Sequence, residues 1–387
     1  MMQAVAETVF HQRPIEAFGP LGLLGPGKPV EHRHSLAPAR VRLPPLATGR
    51  HFLERWQVRE LPEPGAWAHA YYDSYAPPLF VLHNVLVHSS AGIIAVGDQV
   101  IAETLSFTEP HTHAYRNLVR GIAIRRGATR RLAGTHIAAL TAGETNYYHS
   151  MMLSLARLQA VPGNYLAAAA SLLVPRGAVA QPEVLALLDL LPSLAVETVG
   201  HDETLLVENL IFPLSVCGEA SYHPCVADFF RRVSANVSPP TRRLPRRLYI
   251  DRRGSGIRRL TNENTVIAAL APLGFVPVRP ETLCVADQVR LFRNAEAIVA
   301  PHGAALTNIG YARPGCLLIE LLMDAYVNWC FRHLAALMQL RYDCVLGLAP
   351  KPWGELDLQF HLTPWTISVN HVVAAVAQGL GQAAQAA

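Results

Sequence analysis

The sequence predicts an α/β protein of two domains, and three observations carry that expectation. From Leu248 onward, short apolar strands alternate with short amphipathic helices, as in a parallel sheet covered on both faces. Upstream of that alternation, SANVSPPTRRLPRR (Ser234–Arg247) has paired prolines and arginines and marks a boundary. Apolar residues make up 51% of the 387 and charged ones 16%, enough to fill two cores and unlike a disordered chain.

Taken in order, residues 1–65 are rich in Pro, Gly and Arg, show little periodicity and read as an irregular N-terminal arm. Residues 66–236 read as a first α/β domain. It opens with a β block, PLFVLHNVLVH, GIIAV and QVIAETL, with Gly97-Asp98 suited to a hairpin turn. LAGTHIAAL (Leu132–Leu140) is a further strand. It leads through TAGETN into YYHSMMLSLARLQAV, where Tyr148, Met151, Met152, Leu155 and Leu158 recur at helical spacing. Thr145 or Asn146 suits the N-cap, which puts His149 in the first helical turn.

Residues 237–247 read as the linker and 248–350 as the second domain. There RLYI, FVPV, AEAIVA, CLLIELL and RYDCVLGL are strands. NENTVIAALAPLG, VADQVRLFRNA, a helix opening at AALTNIGYA and Tyr326–Leu340 are helical. Residues 351–387 form a C-terminal tail closed by an Ala-rich helix, about Ser368–Gln382.

The net charge of +4 is arginine-borne, because Lys28 and Lys351 are the only lysines. Arginine suits forked contacts to phosphate and carboxylate, but +4 over this length is too mild for a nucleic-acid binder. The six cysteines are scattered without a CxxC pair, which reads as reduced, buried thiols. The N-terminus lacks a secretory pattern, and no apolar run is long enough to span a bilayer. The expectation is a cytoplasmic protein, with peripheral association at an inner membrane left open.

Ligands of open parallel sheets bind beyond the carboxyl ends of the strands. Two loops meet that condition: Asp251–Arg259 (DRRGSGIRR) after RLYI, and Pro301-His302-Gly303-Ala304 after AEAIVA. The second opens a helix whose amides and dipole favour an anion, and Gly303 and Ala304 leave room for a phosphate. Arginines of the first loop can add forked donors. Alone, an arginine run is usually solvated, and a His-Gly pair often only caps or packs. No strand-GxGxxG-helix fingerprint, Walker loop or GxSxG elbow is present. His111 and His113 have no second cluster to complete a metal site, so they read as loop residues.

Together, YIDRRGSGIRRLTNEN and PETLCVADQVRLFRNAEAIVAPHGAALTNIGYARPGCLLIELL resemble glycosyltransferase family 61. The matching residues are Arg252, Arg253, Arg258, Asn262, Glu263, Gln288, His302, Gly303, Ala304, Leu306, Thr307, Asn308, Gly315 and Glu320. Upstream, NYYHSMMLSLARL resembles the family's N-Y-Y-H-W-L-L-D-L-L-P-R-L block. The resemblance implies a GT-B-like architecture: two Rossmann-like α/β domains facing across a cleft, with the acceptor on the N-terminal side and a nucleotide-sugar donor on the C-terminal side. It also implies inverting transfer of a hexose or pentose from a nucleoside-diphosphate donor, a UDP-sugar, to a glycan or other hydroxyl, in polysaccharide biosynthesis; a bacterial setting is expected from composition and the lack of a membrane anchor.

By the same resemblance Arg252 and Arg258 carry the diphosphate charge, the job a metal performs in other glycosyltransferases, and Arg253 is a further donor-binding residue. No cofactor is implied, and the co-substrate is the nucleotide sugar. His302 and the amides of Gly303 and Ala304 complete the anion site, with Thr307 and Asn308 in the same loop. Glu320 accepts from ribose hydroxyls, or is an ordinary strand-end acid. His149 is the base or an orienting group. Two departures stand out: Ser150 and Leu153 replace the family's tryptophan and aspartate. Leu153 keeps open a catalytically weak or silent nucleotide- or glycan-binding relative. A dehydrogenase is a third reading, opposed by the missing glycine fingerprint.

Overall fold

The computed structural model describes residues 11–13, 30–46, 69–74, 77–88, 91–96, 99–101, 104, 130–141, 143–190, 194–217, 221–350 and 363–386. In chain order the strands are β1 (His11–Arg13), β2 (Val30–Ser35), β3 (Arg40–Arg42), β4 (Tyr71–Asp73), β5 (Pro78–His88), β6 (Ile93–Val96), β7 (Gln99–Ile101), β8 (Arg130–Ala138), β9 (Ser171–Pro175), β10 (Ala195–Val199), β11 (Thr204–Pro213), β12 (Arg247–Ile250), β13 (Phe275–Val278), β14 (Ala297–Pro301), β15 (Leu317–Met323) and β16 (Arg341–Gly347). The α-helices are α1 (Gly163–Ala168), α2 (Gln181–Leu188), α3 (Cys225–Ala235), α4 (Glu263–Leu270), α5 (Val285–Asn294), α6 (Cys330–Leu337) and α7 (Val369–Ala386).

The chain forms two compact units, residues 1–38 with 75–216, and residues 39–74 with 217–387. The division at 216/217 lies upstream of the 237–247 segment because α3 packs in the second unit. Phe230 meets Tyr311 edge-on at 5.0 Å and covers Gly310, where a β-carbon would lie 2.4 Å from the ring. Residues 39–74 join the same unit through the β3–β4 pair and α6. Arg332 donates to the carbonyls of Pro44 at 2.9 Å and His69 at 3.3 Å, and Tyr72 stacks on His333 at 4.7 Å. The arm predicted as irregular therefore contains strands.

The first unit holds a mixed nine-stranded sheet, ordered β1-β7-β6-β5-β11-β8-β9-β10 with β2 also on β5. This corrects the expectation of a Rossmann-like first domain. Strands β5, β6 and β7 follow one another through short connections, which permit only antiparallel pairing. Val96 pairs with Gln99, so the register suits the expected hairpin, whose turn residues Gly97 and Asp98 lie outside the described residues. Strands β8, β9 and β10 pair in parallel and supply the α/β half. His111 and His113 also lie outside the described residues.

The second unit is built on a fully parallel sheet ordered β13-β12-β14-β15-β16. Numbered within the sheet this is 2-1-3-4-5, the doubly wound order whose switch point falls between its first and third strands, β12 and β14. All the strands expected in 248–350 form. Their near-continuous apolar character follows from burial on both faces: every residue of β14 and β15 is buried. The C-terminal helix α7 is part of this core, contributing Val372, Ala375 and Val376. The helix expected over Tyr326–Leu340 starts later, at Cys330, where the Asn328 side chain accepts the Cys330 amide at 2.9 Å. Among the described residues no helix is long and apolar enough to cross a membrane.

Candidate functional site

The two loops singled out in the sequence leave the carboxyl ends of β12 and β14, the strands that flank the switch point. Strand β12 runs into the arginine loop, and β14 ends at Pro301 so that His302 and Gly303 head the three-ten helix Ala304–Tyr311. Within that helix a polar side chain takes one of the carbonyls. The Asn308 amide donates to Ala305 O at 3.2 Å and to Gln288 Oε1 at 2.8 Å, which ties the loop to α5.

Arg252 crosses from one loop to the other. Its guanidinium covers Gly303, donates to Ser255 Oγ at 3.1 Å and reaches Ile257 O at 3.5 Å. Arg258, at a backbone φ of 46°, places its guanidinium over the Tyr326 ring, 4.8 Å from the centroid. Burial lowers both guanidinium pKa values, and Arg258 lowers Arg252 further, to about 10. Neither side chain has a carboxylate within ion-pair distance among the described residues, and the buried Arg258 Nε has no hydrogen-bond partner. Two like charges without a counterion are costly to gather in one place, and a bound anion would offset that cost.

His302 stands beside them. Its Nδ1–H donates to Glu320 Oε1 at 2.6 Å, and the Tyr342 hydroxyl donates to Glu320 Oε2 at 2.6 Å. The imidazole packs against Tyr326 at 5.4 Å and Phe331 at 5.1 Å. Burial holds its pKa below the ordinary value; Glu320 opposes this, and Arg258 and Arg252 add to the depression.

Glu263, at the start of α4, shapes the arginine loop from behind. Its Oε1 accepts the Arg252 amide at 2.8 Å and the Tyr249 hydroxyl at 3.1 Å, and burial raises its pKa. Asn262 exchanges hydrogen bonds with the backbone of Ile367, fastening the same loop to the segment before α7. Residues 147–319 match the family model Glycosyltransferase 61. That match supports membership of glycosyltransferase family 61. No curated protein matches it. Family membership implies glycosyltransferase activity, with a sugar donor and an acceptor.

Of the residues singled out in the sequence, the structure gathers Arg252, Arg258, His302 and Gly303, with Ala304 following at the helix start. Glu320 departs from the ribose-binding expectation: it is fully buried, and both oxygens are engaged by His302 and Tyr342. Arg253 turns to Asp251 at 2.7 Å and Asn264 at 3.0 Å, away from Arg252. Thr307 and Asn308 are fully buried in the three-ten helix, where Asn308 braces the loop. Tyr342 and Tyr326 were not legible as site residues. Each lies outside any motif, and only strand pairing and loop closure bring them in.

His149 belongs to the first unit and opens a π-helix, His149–Leu155. The Asn146 side chain accepts the Tyr148 amide at 2.9 Å, the N-cap contact expected of it. His149 packs on Gly143, where a β-carbon would lie 2.4 Å from Nδ1. Seven-residue π segments are rare and concentrate at functional sites. Leu153, at the family's aspartate position, is buried beside Met151 and Met152.

Proposed function

We propose that this family member is an inverting enzyme that moves a sugar from a nucleoside-diphosphate donor, a UDP-sugar, to a hydroxyl of a glycan or other acceptor in polysaccharide assembly. The observation that carries this reading is the pair of half-buried guanidinium groups, Arg252 and Arg258, without a carboxylate counterion among the described residues, at the switch point of a doubly wound sheet. Departure of a diphosphate needs charge stabilisation that is in place before the bond breaks, and fixed arginines supply it. On this reading the two cations hold the diphosphate, and no metal is required for that purpose. The amides of Gly303 and Ala304 head a helix that adds to the same field. On this reading the donor belongs to the second unit.

In a single displacement the acceptor oxygen bonds to the anomeric carbon while the bond to the diphosphate breaks, taking its electron pair with the leaving group. The acceptor proton passes to His149. The π-helix and the Gly143 contact that fix its ring support this role.

The decisive experiment is thermal denaturation with UDP and common UDP-sugars. Ligand at a hundred times its Kd adds about 2.7 kcal/mol, a rise of several degrees. Arg252→Ala should abolish the rise. If no nucleotide or nucleotide sugar shifts wild-type melting, the donor reading falls.

Buried Leu153 favours a second reading, a silent relative that binds nucleotide or glycan without turnover. Release of UDP from a bound UDP-sugar, accelerated by an acceptor, would eliminate it.

A further inference from the structure

Glu320 and Tyr342 lie on neighbouring strands whose register pairs Leu318 with Tyr342 and Glu320 with Cys344. The two side chains are therefore diagonal neighbours on one face of the sheet. Strand β14 pairs Ala300 with Glu320, so His302, two residues further on, completes a row of three. The row is buried throughout: Glu320 is 0% exposed, Tyr342 4% and His302 8%. Its hydrogen bonds run in one direction, from Tyr342 hydroxyl to carboxylate and from His302 Nδ1–H to carboxylate, each 2.6 Å. With Nδ1 committed to Glu320, Nε2 is the ring atom left to meet a ligand.

We propose that Glu320 and Tyr342 are positioning residues that hold His302 as a third, ligand-induced cation, so that binding of a nucleoside diphosphate draws one proton from solvent onto Nε2. This rests on the donor reading given above and extends it to the protonation state of the site. The physical argument is a reversal of field. In the empty site Arg252 and Arg258 face the imidazole from the loop after β12, and both oppose a positive ring. Glu320 from β15 favours it, but Tyr342 from β16 shares that carboxylate. Tyr326, from the loop after β15, and Phe331, from α6, pack on the ring with aromatic surface. A diphosphate seated on Arg252 and Arg258 replaces net positive with net negative potential at His302. The protonated form then becomes the favoured one.

The test is calorimetric titration of the full chain with UDP near neutral pH in buffers of different ionisation enthalpy, which counts protons exchanged on binding. Subtracting the count for His302→Gln removes the ionisation of UDP itself. Wild type should take up more protons than His302→Gln, by up to one per site. Tyr342→Phe removes a donor from Glu320, leaves the carboxylate a stronger partner for His302, and should move the pH midpoint of UDP affinity upward with little change in melting temperature. Glu320→Gln should move that midpoint downward. Equal proton counts for wild type and His302→Gln, or a midpoint that ignores Tyr342→Phe, overturn the proposal while leaving the donor reading intact. Failure of wild type to bind UDP, ADP or GDP at any pH overturns both.

Discussion

The guanidinium of Arg252 lies over Gly303 so closely that a β-carbon there would fall 1.6 Å from Nη1. Backbone freedom does not explain this glycine, because its φ of 166° is extended and open to any residue. The requirement is space for the arginine. Gly303→Ala should therefore expel Arg252 and weaken UDP binding at least tenfold, roughly 1.4 kcal/mol, with the fold retained. Calorimetry with a parallel melting curve checks this, and unchanged affinity would remove Arg252 from the anion site.

The charge of Arg258 lowers the pKa of Arg252, so the two cations gain nothing from their proximity. Replacing one should relieve repulsion in the empty protein. Arg258→Met is expected to melt at or above the wild-type temperature yet bind UDP about 10- to 100-fold more weakly, from loss of a charge-assisted contact of roughly 1.5–3 kcal/mol. A fall in melting temperature with full affinity would mark Arg258 as structural.

His302 titrates below its ordinary value of 6.5 in the folded empty protein, whereas the unfolded chain regains that value. Between the two values the unfolded state binds more protons, so stability rises with pH there. The contribution of this group is fully present above pH 6.5 and is lost as pH falls towards the folded pKa. Melting curves from pH 5 to pH 8 should therefore show a steeper acid-side loss for wild type than for His302→Gln, on the order of a one-proton slope. Parallel curves would contradict it.

Glu263 holds the Arg252 amide and the Tyr249 hydroxyl on one oxygen. Glu263→Ala leaves both donors without that acceptor, at a cost of about 1–3 kcal/mol for each one that stays buried. Chemical denaturation should read a loss of roughly 2–4 kcal/mol, and UDP affinity should fall as the loop loosens. A variant of wild-type stability would show that water takes over the contact.

The strands and helices of residues 248–350 were legible because each is a local pattern. Apolar runs such as AEAIVA and LLIELL are strands buried on both faces, and VADQVRLFRN places its apolar residues on one helical stripe. The Arg252 and His302 loops were legible for the same reason, as polar breaks at strand ends. The first unit was harder. Antiparallel β5–β7 and parallel β8–β10 share one sheet, and periodicity does not report which strands pair.

By itself, then, the sequence determined the element order of the second unit, the two polar loops at the ends of β12 and β14, and the likeness to family 61. Only the tertiary structure decided what the side chains in those loops do. Arg253 and Arg252 are neighbours in the chain, yet one pairs with Asp251 and the other crosses to Gly303, because successive residues leaving a strand point in opposite directions. Glu320 meets His302 because strand register places the two side by side, with Tyr342 behind them. Those partners lie 18 and 22 residues away in sequence, and only the closed sheet brings them within hydrogen-bond reach.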